Sequence, residues 1–327
     1  MQLDGAEPRI ATIEFFGHKG IDTAVIRAAL PFHEGDELSP GEGAKERVRD
    51  AVVRAVGKQA TDVNAVCCTA DGGLLLFIGV PGGSYKPFAY GPTPTGQARV
   101  STDLEQLAER LDEAIVAAVR KGGDAALEDD SKGYALTRDP QVRSLQLELR
   151  RYALAHEPEL FRVIGSSREA KHRAIASQAL GYSRQSAHQV FALTQAARDP
   201  DDEVRNNATR AIGVLAGANH RLASQIAPDT FIEMLNSGIW TDRNKGAMVL
   251  MSLTAKRDPA VLTKLKATAL DALIEMASWR AVSHAYFARI VLGRVAGIPE
   301  KQLEELAQKG PPETIVEALA GKPGGVR

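Results

Sequence analysis

At 327 residues, with 44% hydrophobic and only 5% aromatic side chains, the chain is long enough for two domains with real cores. Its abundance of alanine and leucine suits helix packing better than a large β-sandwich. Forty basic and 41 acidic residues leave a net charge of −1, so no global field recruits nucleic acid or membrane, and no apolar run approaches ~18 residues, the length of a membrane-spanning helix.

The first elements predict a small α+β layer. Residues 9–16 alternate as a strand that stops at Gly17. Asp22 caps a short helix through Val25, Ile26 and Leu30, and Pro31 with Gly35-Asp36 marks a turn. Ala44 to Val56 is a second helix with Val48, Ala51, Val52 and Ala55 on one face, ended by Gly57. Asp62 to Thr69 is a strand rich in β-branched residues, Asp71-Gly72-Gly73 a hairpin turn, and Leu74 to Val80 an apolar strand stopped by Pro81. The order β-α-α-β-β places helices on one sheet face. Cys67 and Cys68 are adjacent in a strand and should point to opposite faces. A bond between them would be strained, no partner ligands make a zinc site, and free buried thiols are expected.

This order resembles a POTRA domain over about residues 8–81. The resembling residues are Ile13-Glu14-Phe15-Phe16-Gly17, Ile26-Arg27-Ala28-Ala29-Leu30, Glu34-Gly35-Asp36-Glu37-Leu38-Ser39 and the strand pair around Gly72-Gly73. The resemblance implies a bacterial cell-envelope domain whose sheet edge can take an extended peptide.

The predicted domain runs over 1–83, and a connector over 84–133 follows. Prolines and glycines between Pro81 and Gly96 exclude regular structure, with Tyr85, Phe88 and Tyr90 anchoring the segment to a surface. Asp103 begins a long amphipathic helix through Leu104, Leu107, Leu111, Ile115, Val116 and Val119, ended by Lys121-Gly122-Gly123; Glu128 to Gly133 is a solvated acidic loop.

Residues 134–327 carry a repeat. Asp199 is placed to cap a helix, Pro200 suits its first position, and Asp201, Asp202 and Glu203 put negative charge at the positive end of its dipole. Val204, Ala208, Ala211, Ile212 and Leu215 share a face, and Gly217 and Asn219 are stop signals. The markers Ala208, Ala211 and Gly213 recur as Ala176, Ala179 and Gly181, as Ala247, Leu250 and Ser252, and as Ala288, Val291 and Gly293. Such periods read as stacked two-helix units, with second helices at 185–198, 228–236, 260–277 and 300–308. A degenerate first unit starts at Asp139-Pro140, with its second helix from Tyr152 to Ile164.

The run Asp-Pro-x-x-x-Val-Arg-x-x-Ala-x-x-Ala-Ile-Gly from Asp199 resembles HEAT repeats, with other units matching over about 139–318. The resemblance implies an all-α α-solenoid in which Asp199 and Arg205 belong to a polar ladder between units. Arg173 lacks a preceding Asp-Pro and Asn244 replaces the arginine in the third unit, so the ladder is expected to be interrupted.

Charge divides unevenly: 14 Lys/Arg against 21 Asp/Glu in 1–133, net −7, and 26 against 20 in 134–327, net +6. No phosphate loop, nucleophile elbow or zinc helix motif is present, and no cofactor or metal is expected. His172 and His188, on different helices, read as surface or capping residues. Some HEAT-like proteins are DNA glycosylases with aromatic residues and an acid in a basic groove. Trp240, Asp242 and Trp279, with Arg243 and Lys245 near phosphate, would serve that alternative. The spacing of 39 between the tryptophans instead predicts equivalent core positions, and Asp242 suits the N-cap of a helix over 244–253. The favoured reading is a non-catalytic scaffold for a protein or peptide partner, with nucleic acid not expected. On the helix over 260–277, Lys264, Thr268, Asp271 and Glu275 oppose Leu262, Leu265, Leu273 and Met276 and are the candidate partner-binding face. The opening Met-Gln-Leu-Asp-Gly-Ala-Glu-Pro holds no apolar signal region, which leaves open the cytosol or an envelope protein with its leader removed; the POTRA resemblance favours the envelope.

Overall fold

The computed structural model describes residues 9–37, 43–67, 69, 72–122, 125 and 127–319. The chain forms two compact units that do not follow chain order. One comprises Met1–Phe88, Glu233–Asn244 and Arg257–Arg327; the other comprises Ala89–Ile232 and Lys245–Lys256. This differs from a division at residues 83 and 133, because the strands share a core with late helices.

The first unit opens with β1 (Ile10–Phe16), α1 (Thr23–Ala29), α2 (Ala44–Val56), β2 (Asp62–Cys67) and β3 (Leu74–Gly79), in the expected order. Asp22 accepts the Ala24 N–H at 2.9 Å to start α1, and Gly57, at φ +68°, closes α2 in the left-handed conformation that glycine adopts freely. β3 lies centrally, parallel to β1 and antiparallel to β2, with Phe15 opposite Ile78 and Val63 opposite Ile78 on the other side. The parallel pair needs a crossover, which the segment through α1, α2 and β2 supplies.

All six β3 residues are buried, which accounts for the unbroken apolar run Leu74-Leu75-Leu76-Phe77-Ile78. Leu74, Leu76 and Ile78 pack with Ile13, Ile26, Val48 and Val52. Phe77 lies 4.9 Å from the Trp240 ring and 5.0 Å from Trp279, and the Trp279 indole donates to the Phe15 carbonyl at 3.0 Å. The sheet is therefore covered on both faces, a correction to the one-sided layer predicted from local order. Cys67, exposed at the end of β2, is disulfide-bonded and not a free buried thiol. Cys68, and Asp71 of the predicted hairpin turn, lie outside the described residues.

The chain continues through α3 (Thr102–Lys121), a two-stranded ribbon of β4 (Glu128–Asp129) and β5 (Leu136–Thr137), α4 (Pro140–Ala155), α5 (Glu157–Ser166), α6 (Ala170–Leu180), α7 (Ala187–Ala196), α8 (Asp202–Ala218) and the short α9 (His220–Ala223). α10 (Asp229–Met234) and α11 (Trp240–Leu253) precede α12 (Pro259–Thr268), α13 (Leu270–Ala277), α14 (Val282–Val295), α15 (Glu300–Lys309) and α16 (Pro312–Leu319). Within the second unit α4 packs on α6 and α6 on α8, while α5 and α7 pack on α6 and α8 respectively. Within the first, α14 is contacted by α12, α13, α15 and α16. The markers Ala176, Ala208, Ala247 and Ala288 are all fully buried. A Cβ on Gly181 would stand 2.9 Å from that of Ala211, so α6 and α8 approach too closely there for a larger residue.

Three boundaries depart from the sequence reading. α3 starts at Thr102, one residue before the predicted Asp103, and is capped by Ser101, which accepts the Leu104 N–H. α8 is capped by Asp201, which accepts the Glu203 and Val204 N–H groups; Asp199 is engaged elsewhere and Pro200 precedes the helix. Tyr152 belongs to α4, whose partner helix begins only at Glu157.

Replacing Phe77 by alanine should open a cavity between the sheet and the two tryptophans and lower stability by about 3–5 kcal/mol, measured as a shifted urea midpoint with unchanged slope.

Candidate functional site

The four residues of the predicted partner-binding face do not share one solvent-facing surface. Lys264 and Thr268 are exposed on α12, and Asp271, near the start of α13, pairs with Lys19 at 2.6 Å. Glu275 is buried. It accepts the Gly17 N–H at 2.8 Å, the Ser84 hydroxyl at 2.5 Å and Arg243 Nη1 at 3.3 Å. The cause is a break in the expected 260–277 helix at Ala269, whose φ of −135° ends α12 and restarts the chain as α13 in a new phase. Helical spacing cannot be carried across such a break, and Glu275 turns from the predicted solvent face into the core. Gly17 has φ +75°, and a Cβ there would stand 2.4 Å from the Val80 carbonyl, so only glycine brings its N–H to Glu275 this way.

The arginine positions show more regularity than expected. Arg173 holds Asp199 with two bonds, 2.6 and 2.8 Å, and donates to the Ser167 carbonyl at 2.9 Å. Arg205 donates to the Asp199 carbonyl at 2.8 Å. Arg243 donates to the Ser237 carbonyl at 2.7 Å and to the Ser84 carbonyl at 2.9 Å. Each guanidinium is almost fully buried, and each reaches the carbonyl six residues upstream. The third member is Arg243; alignment through Asn244 placed it one residue late. Burial pulls the Arg243 pKa down to about 10, against the opposing pull of Glu275. Arg289 departs from the pattern and bonds the carbonyls of Ala277, Ala307 and Trp279.

Trp240 and Trp279 are core residues against Phe77. Asp242 is buried and accepts the Ser237 hydroxyl at 2.6 Å; α11 already begins at Trp240, so Asp242 is not its cap. His172, expected at the surface, is buried, 3.1 Å from Glu105 and 3.4 Å from Glu169. His188 is exposed and stacks on Phe161 at 3.8 Å.

The second unit contains a cavity of about 220 Å3 whose walls mix apolar side chains such as Leu111, Ile115 and Val214 with polar ones. Asp112 of α3, Glu128 of β4, Gln146 of α4, Tyr182 just beyond α6 and Arg210 of α8 line it. Glu128 does not sit free in an acidic loop: both its oxygens lie 2.5 Å from Arg210 Nη2. Arg210 is enclosed by protein yet keeps about 31% of its side chain accessible, as expected of a group facing a cavity. Burial opposes its charge, but Glu128 and Tyr182 more than compensate and raise its pKa. The Tyr182 hydroxyl lies beside Arg210 and Gln146, and burial pushes it up to about 12, so it is a neutral donor. Asp112, which accepts from Gln178 at 3.3 Å, is raised by burial.

Lys245, half-buried on α11, feels the fields of both Arg210 and Glu128. Burial first, and then the like charge of Arg210, pull its pKa down to about 8, while Glu128 pulls the other way. Among the described residues it has no carboxylate within 4.0 Å. Lys245 is thus a second cation that feels the field of an already paired arginine and, among those residues, has no carboxylate of its own in contact. Such a group attracts an anion. The sequence reading named Lys245 only as a phosphate contact of the Trp240 constellation and missed Arg210, Glu128 and Tyr182. The available signal was weak: charged residues at helix positions flanked by Ala208 and Ala211, and by Gly246 and Ala247.

No protein-family model matches the chain, and no curated protein matches it.

The lowered Lys245 pKa fixes a sign. Between about 8 and the ordinary 10.5 the unfolded chain binds the proton and the folded chain does not, so stability from this residue rises with pH across that window. Lys245→Met should remove that slope and, near neutral pH, stabilise the fold by about 1 kcal/mol, read from urea denaturation at several pH values.

Proposed function

We propose that the chain is a non-catalytic scaffold for a protein or peptide partner, in which a HEAT-like α-solenoid follows a small POTRA-like domain. A partner's acidic group enters the cavity bounded by Arg210 and Glu128 in the second unit; Lys264, Thr268 and Asp271 of the first unit are a separate candidate contact surface, considered by itself. The observation that carries this reading is Lys245, a cation kept beside Arg210 without a counter-ion within 4.0 Å among the described residues. Retaining such a residue costs stability, and binding an anion is what offsets the cost.

The repeat reading draws support from the recurring bond of Arg173, Arg205 and Arg243 to the carbonyl six residues upstream. One local device used three times is what tandem two-helix units require. The strand order β1-β3-β2 with both parallel and antiparallel pairing suits a POTRA-like domain. A DNA-lesion enzyme would depend on Trp240, Asp242 and Trp279, and these are engaged in the core of the first unit.

Affinity capture from the source cell, compared across variants, tests the proposal. Wild-type bait should retain a protein that Lys245→Met loses by at least about tenfold, the scale of one charge-assisted contact. Reversing Lys264 and Asp271 together should weaken capture without changing the circular dichroism spectrum. A chain that retains no protein, but shifts duplex DNA at low salt and releases it as salt rises, would overturn the proposal.

A further inference from the structure

Resting on the reading of the cavity just given, we propose that Glu128 is a resident stand-in for the ligand: a single carboxylate borne by the partner displaces it from Arg210, and Glu128 thereby sets the affinity of the site.

The geometry of the pair suggests exchange. Glu128 belongs to a strand of only two residues, β4, paired with β5 through Asp129 opposite Leu136 and Glu128 opposite Thr137. About 33% of its side chain is accessible, so solvent reaches the carboxylate without unfolding the ribbon. Its anchor is different in kind. Arg210 projects from the middle of the 17-residue α8, beside the buried Tyr182. An accessible acid on a base anchored mid-helix is the arrangement in which an outside acid can compete. The buried arginines offer a contrast: Asp199 is itself buried against Arg173, and no outside group can reach that pair without opening the core.

The lining also defines the ligand class. Arg210 already holds both oxygens of a carboxylate, and the neutral Tyr182 hydroxyl and the Gln146 amide lie beside it. Lys245, outside the lining but coupled electrostatically to Arg210 and Glu128, adds the field of one positive charge, while Asp112 on the α3 wall brings a negative one. A monoanion gains from the first and tolerates the second. A phosphate dianion would meet Asp112, and the displaced Glu128, at twice the repulsion. The ligand is therefore a glutamyl or aspartyl carboxylate, carried either by a peptide or by a small molecule.

Calorimetry with the full chain tests this, using a hexaglutamate peptide, N-acetylglutamate α-methylamide and inorganic phosphate as probes. Neutralising the competitor in Glu128→Gln should tighten carboxylate binding by about tenfold, the factor expected if Glu128 occupies Arg210 about nine-tenths of the time. Glu128→Asp, which keeps the charge but shortens the reach, should tighten it by a smaller factor and serves if the glutamine variant folds poorly. Lys245→Met should weaken binding of the same probes. Binding of the peptide alone supports a protein partner, and equal binding of both carboxylates supports a small-molecule source. If Glu128→Gln binds no tighter than wild type while Lys245→Met still weakens binding, the stand-in role is overturned and the anion cavity stands. Phosphate displacing the peptide at equal concentration overturns the ligand class. If no carboxylate binds wild type or Glu128→Gln, the cavity reading falls and takes this proposal with it.

Discussion

The helical architecture depends on a buried guanidinium that ties the start of a helix to the carbonyl six residues before it. Arg173, Arg205 and Arg243 all make this bond. A loop entering a helix inside a packed protein leaves carbonyl oxygens that water cannot reach, and each orphan costs about 1–3 kcal/mol. Arginine suits the task because its planar fork spans several acceptors and keeps its charge. The burial of that charge is offset by Asp199 for Arg173 and by Glu275 for Arg243. In the first unit the same carboxylate also fixes Gly17 and Ser84, so one anion joins a strand end, a loop and two helices.

Seen beside these arginines, the cavity of the second unit is under-compensated. Arg173 has a dedicated buried acid and a carbonyl; Arg210 has a surface-exposed acid from a two-residue strand, and Lys245 has no carboxylate within 4.0 Å among the described residues. The difference separates charge that organises the fold from charge left available. Structural ion pairs are closed to solvent and fully bonded, whereas groups held for binding keep accessible surface and a shifted proton affinity. Tyr182 and Gln146 complete a rigid frame, because the Gln146 carbonyl oxygen is itself bonded by Thr137 at 2.7 Å (backbone) and 2.9 Å (hydroxyl).

Elements with local punctuation were legible in the sequence. Asp22, Gly57 and the apolar run of β3 defined α1, α2 and the central strand almost to the residue, since capping and burial on both faces act over a few positions. Errors arose where one acidic residue stood for another. Asp199 and Asp201 are both able to cap α8, and the choice was made by Arg173, which lies 26 residues away and claims Asp199. The break at Ala269 had no glycine or proline to announce it, and the phase error it introduced sent Glu275 to the wrong face. The cavity was illegible for a further reason: Asp112, Glu128, Gln146, Tyr182 and Arg210 come from separate elements, and only packing brings them to one wall.

The first unit is discontinuous along the chain, and this bears on how the protein is made. The sheet face carrying Phe77 is closed by Trp240 and Trp279, which leave the ribosome more than a hundred residues after it. During that interval the Phe77 side of the sheet has no partner to pack on. Such a surface is what cellular holdases recognise. A chain ending ahead of Trp240 therefore lacks both indoles that cover Phe77 and leaves that apolar face bare.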